Sequence, residues 1–236
     1  MITEFLKNCV LAAANVANRI LDLFTGGPRR PVTFDIDRTA PALRSIDERF
    51  DEILAELKPL MNGPEPLPRY HEVDPFQRAI SAESTPDRSW RIFLLYAMGE
   101  VPREARHLCP KTLATLSGVP DLFQAFFSVL DPGKSVPPHV GPYRGYLRYH
   151  LGLIVPEDNP PKLRVKDFHY TWRERESLLF DDSWDHEVLN HSSGKRVVLI
   201  VDVLRPLPRI PARINRWVSN WIIRPAYGRR LLKNLR

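Results

Sequence analysis

The chain of 236 residues is short of the features that mark several common protein classes. Its two cysteines, Cys9 and Cys109, cannot build a disulfide framework and form no CxxC pair, so both read as buried thiols in a reducing compartment. No uncharged apolar run approaches the length of about 18 residues that a membrane-spanning helix needs. The N-terminus lacks the basic start, apolar run and small-residue cleavage site of a secretory leader. Zinc-finger spacings, an HExxH helix, EF-hand loops and Gly-rich phosphate loops are missing, and no Ser, Cys or Lys stands in a nucleophile context. Glycine is sparse as well, 11 against 23 prolines, a balance that disfavours a bundle of long helices and favours loops, edge strands and short elements.

What is present is enough apolar material for a packed core: 43% hydrophobic residues, 10% aromatic, 26% charged. The net charge of +6 is unevenly spread. Nine Lys or Arg and no acid lie between Arg205 and Arg236, so the preceding part of the chain is slightly acidic. A basic tail on an acidic body argues against a nucleic-acid groove through the core, and no nucleic-acid partner is expected.

Met1 to Phe24 has the spacing of an amphipathic helix stopped by Gly26, Gly27 and Pro28. A second helix is predicted from Pro41 to Met61, with Leu43, Ile46, Phe50, Ile53, Leu54, Leu57 and Leu60 on one side. From Trp90 the pattern changes to short β-branched and aromatic runs: Trp90–Tyr96, Ala125–Leu130, Leu147–Val155, Leu163–His169, Ser177–Phe180 and Arg196–Leu204. Such strands predict a mainly β protein with flanking helices and a sandwich or jelly-roll core. The tail from Pro206 turns helical, with Ile214, Trp217, Val218, Trp221 and Ile222 on one stripe and an interruption at Pro225. The organisation expected is an N-terminal amphipathic helix (1–27), a helical, proline-rich lead-in (28–89), the β core (90–206) and a basic amphipathic tail (207–236).

Two clusters hold the chemically versatile residues. His139 sits in a Pro/Gly-flanked stretch that reads as a loop. Arg148 and His150 share one face of the following strand, opposite Leu147, Tyr149, Leu151 and Leu153. That charged face suits either solvent or a site. In the second cluster, His186 stands among Asp181, Asp182, Asp185 and Glu187, which fits a surface histidine as well as a ligand. Arg196 opens a strongly apolar strand, either as a cap on the sheet edge or as a buried cation seeking an anion. Two histidines 47 residues apart on a β framework, with arginines nearby, have the layout of a non-haem iron site with open coordination positions.

In these motifs the chain resembles the aspartyl/asparaginyl β-hydroxylases, which are Fe(II)- and 2-oxoglutarate-dependent oxygenases with a double-stranded β-helix (jelly-roll) core. The resemblance runs from Trp90 to Pro206. It rests on Trp90; on Ser128 eleven residues before His139 with Pro132-Gly133 between; on His139-Val140-Gly141-Pro142 followed by Arg148 to Leu153; on Phe180 to Val188; and on Arg196 ten residues after His186. It implies Fe(II) and 2-oxoglutarate as cofactors with O2 as the oxidant. It implies His139 and His186 as iron ligands and the catalytic pair, with Gly141 where most relatives outside the family carry a ligating carboxylate. Asp182 and Asp185 become candidates to orient the imidazoles. By the same resemblance Arg196, helped by Ser128, pairs with the distal carboxylate of 2-oxoglutarate, while Arg148 and His150 bracket the proximal one, and Trp90 and Tyr149 line the cosubstrate pocket.

The resemblance implies an aspartyl or asparaginyl substrate, as an amino acid or in a peptide. Animal members carry an Arg two residues before the one matching Arg148, whereas this chain has Tyr146, with Arg144 nearby; these two are the candidate substrate contacts. Bacterial members of the family that hydroxylate acyl chains of lipid A or ornithine lipids supply the alternative, and a non-catalytic jelly-roll binding module is the competitor outside the class. A basic tail bearing Trp217 and Trp221 suits an anionic membrane surface or a helix packed on the core. The location expected is cytoplasmic, with peripheral contact at the inner face of the membrane.

Overall fold

The computed structural model describes residues 2–82, 88–228 and Leu231; the side chains of residues 2–11, 13, 226 and 227 lie outside the description, and Cys9 falls among them. Cys109 is buried as expected, and burial pushes its thiol up to about 12.

Helix α1 (Ile2–Thr25) ends where Gly26 and Gly27 take positive φ, 97° and 52°, ahead of Pro28. The lead-in holds strand β1 (Thr33–Phe34) and helices α2 (Ile36–Thr39), α3 (Arg44–Glu48), α4 (Phe50–Met61), α5 (Tyr70–Val73) and α6 (Arg78–Ser81). The helix expected from Pro41 to Met61 is broken into a 3-10 turn, α3 and α4. Its apolar stripe nevertheless stays together, with Leu43, Ile46, Phe50, Ile53 and Leu57 all buried in one cluster. Next come β2 (Trp90–Ala97), α7 (Arg103–Leu108) and α8 (Pro110–Ser117).

The remaining strands are β3 (Leu122–Leu130), β4 (Val136–Val140), β5 (Tyr146–Ile154), β6 (Lys162–Val165), β7 (Phe168–Thr171), β8 (Ser177–Phe180), β9 (Asp185–Leu189) and β10 (Arg196–Leu204). They form two antiparallel sheets, a large one in the order β1-β8-β5-β10-β3-β2 and a small one in the order β4-β9-β6-β7. The run expected from Leu163 to His169 is a hairpin instead, β6 turning into β7 through Lys166 at φ 52°.

Strand alternation explains how these sheets are covered. On β10, Val197, Leu199, Val201 and Val203 point to one side, joined by Leu147, Tyr149, Leu151 and Leu153 of β5 and by Ala125, Phe127 and Val129 of β3; the stripe of α3 and α4 packs on them. Ile92, Leu94, Phe126, Leu130, Val198 and Ile200 point the other way, onto Val136, Leu163, Val165, Trp172 and Val188 from the small sheet and the loop after it. The large sheet is therefore buried on both faces, which is why its central strands read as unbroken apolar runs. Helices, large sheet and small sheet make three layers, and the sheet pair is a double-stranded β-helix core with flanking helices.

The segments around the core are not separable appendages. β1 extends the large sheet beside β8, and α1 buries Ala14, Ala17 and Leu21 against Phe123, Tyr143 and Tyr146. The tail forms α9 (Arg209–Val218) and continues as a π-helix from Ser219 to Gly228, passing through Pro225 rather than breaking there.

Candidate active site

The inward face of the large sheet collects every polar residue that alternation assigns to it. Ser128 on β3, Arg148 and His150 on β5, and Arg196 and Asp202 on β10 all face the small sheet, as does Trp90 on β2. Tyr149 does not. It points to the helical layer, where its hydroxyl donates to Asp47 Oδ1 at 2.5 Å, so it is removed from the cosubstrate pocket expected from the sequence.

His139 is not in a loop. It lies on β4, the edge strand of the small sheet, directly opposite His186 of β9. The register shifts between Val136 and His139, and this irregular edge is what accommodates Pro137 and Pro138. The two imidazole centroids are 4.1 Å apart, with ring planes at 49°. Each Nδ1 faces a backbone carbonyl, His139 to Pro137 O at 2.8 Å and His186 to Trp184 O at 2.9 Å. A carbonyl only accepts, so each Nδ1 carries the proton and each Nε2 keeps its lone pair. Burial, and then the neighbouring His186, holds His139 down to about 3; burial holds His186 down to about 4. Both rings are thus neutral at pH 7, the form that ligates a metal. Backbone carbonyls orient the rings, and the two aspartates proposed for that work are engaged elsewhere: Asp185 pairs with Arg164 at 2.8 Å, and Asp182 accepts from Arg148 and Tyr146. Among the described residues, no group of three or more His, Cys, Asp or Glu is disposed to hold an ion, so the donor set here is a pair.

Gly141 follows His139 because Asp182 needs the space. A Cβ at 141 would stand 2.6 Å from Asp182 Oδ1, while the backbone there is already closed by Gly141 N–H donating to Asp182 O at 2.9 Å.

Arg196 is a buried cation, not a sheet-edge cap. No carboxylate pairs with it among the described residues; its Nη1 is 3.4 Å from Ser128 Oγ, its guanidinium lies 4.4 Å from the Trp172 ring centre, and its Nε has no partner. Burial alone lowers it to about 9. Ser128 also accepts from Trp90 Nε1 at 2.9 Å. His150 stacks on Trp172 with centroids 5.8 Å apart, and both of its ring nitrogens, like Trp172 Nε1, are buried without a partner. Such a group of orphaned donors around an unpaired buried guanidinium is costly unless an anionic ligand completes it.

Arg148 is placed with them but is already committed. Nε and Nη2 each reach Asp202 at 2.8 Å, and Nη1 reaches Asp182 at 3.0 Å. All three of its nitrogens are thus engaged with acids, which leaves two of its five N–H groups for a cosubstrate. Burial raises both Asp182 and Asp202 above the usual carboxylate range. Trp172 and Asp202 escaped the sequence reading. Asp202 was findable: it shares the inward face of β10 with Arg196, and an acid on such a strand demands a cationic partner.

A cavity of about 270 Å³ opens beside His139, Trp90, Arg148 and Asp182. Its other walls are chiefly apolar, including Phe76, Ile80, Met98, Phe123, Ala14 of α1 and Ile223 of the π-helix. Tyr146 lines it with its hydroxyl donated to Asp182. Arg144 does not line it; its side chain pairs with Asp22 of α1. Ser128, His150 and Arg196 do not line it either.

Residues 47–206, more than half of the chain, match the sequence profile of the family described as aspartyl/asparaginyl beta-hydroxylase. The chain is 38% identical over 180 residues to an ornithine lipid ester-linked acyl 2-hydroxylase of Rhizobium tropici, covering 76% of this chain and 62% of the relative. It is also 38% identical over 122 residues to the aspartyl/asparaginyl beta-hydroxylase of Homo sapiens, covering 50% of this chain and 16% of the relative. It thus spans less than two thirds of either relative's length. Among solved structures, a Pseudomonas putida prolyl-4-hydroxylase is similar with a TM-score of 0.43 and 15% identity, covering 66% of this chain and 88% of that one. The chain belongs to the aspartyl/asparaginyl β-hydroxylase family, a family of hydroxylases.

Proposed function

We propose that the chain is an Fe(II)/2-oxoglutarate-dependent oxygenase that hydroxylates a lipid acyl chain. The donor set suits both groups. His139 and His186 present two neutral imidazoles with free Nε2 lone pairs, and Arg196 is a buried guanidinium without an acid. Ferrous iron with 2-oxoglutarate and O2 supplies the oxidising power, one oxygen atom entering succinate as 2-oxoglutarate loses CO2 and the other entering a substrate C–H bond. Arg196 and Ser128 would hold the distal carboxylate of 2-oxoglutarate, and the unpartnered nitrogens of His150 and Trp172 would serve the rest of the dianion. Trp90 fixes Ser128 through its indole N–H.

The observation that carries the substrate is the cavity. An aspartyl side chain needs a cation to read it. The described cavity wall offers Arg148, whose charge is already matched by Asp182 and Asp202, and Arg144 is turned away to Asp22. An apolar wall with no uncommitted cation suits a hydrocarbon chain. The first relative, whose name assigns it an acyl 2-hydroxylation, agrees with this reading over 76% of the chain.

Mass spectrometry under isotopically heavy O2 tests it. Given Fe(II), 2-oxoglutarate and either an acyl lipid or an aspartyl peptide, the protein should add one heavy oxygen to the acyl chain, and His186→Ala should add none. Heavy oxygen in the peptide but not in the lipid would return the substrate to the aspartyl class.

A further inference from the structure

Helix α9 docks mainly through polar and small side chains and leaves its largest apolar ones outside. Its core-facing side is largely polar or small, with Val218 the apolar exception: Asn215 is buried, donating from Nδ2 to Gly145 O at 2.7 Å and accepting from the Tyr143 hydroxyl at 2.5 Å, with Pro211 and the following Ser219 buried beside it. Its outward side carries an apolar stripe set among Arg209, Arg213 and Arg216. Ile210 is 73% exposed and Trp217 56%, with Ile214 exposed between them, and Trp221 of the following π-helix, 70% exposed, continues the stripe. Large apolar side chains on a firmly held helix, facing away from the core, call for a covering that the described residues do not supply. The tail therefore packs on the core and still presents its tryptophans.

Helix α1 repeats the arrangement. Its narrow face of Ala14, Ala17 and Leu21 is buried, in a cluster that Val218 and Ile223 of the tail also join, and Val16, Ile20, Leu23 and Phe24 are exposed along another side. These same two segments form part of the cavity wall, through Ala14 and Ile223. Charge selects what covers them. Arg209 and Arg213 are exposed on α9 with no acidic partner among the described residues, and no acid occurs from Arg205 to the end of the chain.

We infer that the exposed apolar stripes of α1 and α9 form a docking face for an anionic phospholipid surface, seating the mouth of the cavity at the membrane. Rings of Trp217 and Trp221 would sit at the headgroup level with the aliphatic residues beneath, and the arginines would meet the phosphates. This deepens the acyl-chain reading of the site, on which it rests for its purpose. Docking itself is measured without turnover.

Deleting the tail is a poor test, because it also removes Asn215 and Ile223 from the core and the cavity. The suitable variant is Trp217→Ala/Trp221→Ala, which touches only exposed side chains. The full chain should float with vesicles of anionic phospholipid at low salt, release them at high salt, and ignore purely zwitterionic vesicles. The double variant should lose at least tenfold in vesicle affinity while hydroxylating detergent-dispersed lipid as the parent does. A full chain that stays unbound on anionic vesicles overturns the inference, as does a double variant that binds undiminished. So does a double variant that instead converts a dimer to a monomer in sedimentation, since the stripe would then be covered by a second copy. Vesicle binding with no hydroxylation of any lipid would support the docking face and overturn the acyl-chain substrate alone.

Discussion

Position 141 is empty of a side chain because Asp182 fills the space. Gly141→Ala would set a Cβ 2.6 Å from Asp182 Oδ1 and displace a buried carboxylate that holds Arg148 and the Tyr146 hydroxyl. The expected result is a loss of about 1–3 kcal/mol in stability by denaturant titration, together with at least a tenfold drop in succinate formation. Gly141→Asp meets the same obstacle, so a third ligand is not installed by that change. At the other end of the site, Arg196→Lys keeps charge but loses both the planar fork and the contact with Trp172. The Michaelis constant for 2-oxoglutarate should rise about tenfold, equivalent to about 1.4 kcal/mol; an unchanged constant would mean that another residue holds the distal carboxylate. That His139 faces His186 and that Arg196 is buried are placements the sequence could point to, because each residue sits in a motif with fixed spacing. Trp172 was not legible, since no motif marks it, and the ion pair of Arg148 was hidden because its partner Asp202 comes from a strand 54 residues further on.

Among the elements, the two strands that bear the histidines were the hardest to see. Val136–Val140 carries two prolines and looks like a loop; only pairing with β9 at an irregular sheet edge makes it a strand. β9 was hidden by its acidic start, which reads as surface. The long strands β3, β5 and β10 were readable because burial on both faces leaves continuous apolar runs. Helix α8 shows a different dependence on partners. Its N-cap, Cys109, gives no side-chain cap; Glu56 of α4 supplies one instead, accepting from Lys111 N–H and Thr112 N–H at 2.8 Å each and from Thr112 Oγ1 at 2.7 Å. Glu56→Ala should therefore cost about 1–2 kcal/mol, read as a lower thermal midpoint with activity per folded molecule unchanged. A midpoint equal to the parent's would show that water replaces the cap without loss.

Across the whole molecule, the part read from the sequence as lead-in is joined to the core by one buried carboxylate. Asp181 takes Arg30 Nε at 2.9 Å, from the segment after α1, and Arg205 Nη2 at 2.6 Å, from the end of β10. Arg30 further donates to Ser183 O and lies 3.6 Å from the Trp184 ring centre, just ahead of His186. Asp181→Ala leaves two buried guanidinium groups facing each other, and should cost about 3–5 kcal/mol in a denaturant titration; a loss below about 1 kcal/mol would mean the clamp is dispensable. The continuity of lead-in and core was not legible in the sequence, because the contacts that close it pair residues some 150 positions apart.

The central claim is that His139, His186 and Arg196 make one iron and 2-oxoglutarate site, and an anaerobic spectroscopic titration tests it most directly. Adding Fe(II) and then 2-oxoglutarate to the full chain without O2 should produce a weak visible charge-transfer band. That band should be absent in His139→Ala and in His186→Ala, and should need about tenfold more 2-oxoglutarate in Arg196→Lys. No band in the parent protein, or an undiminished band in either histidine variant, would contradict the account.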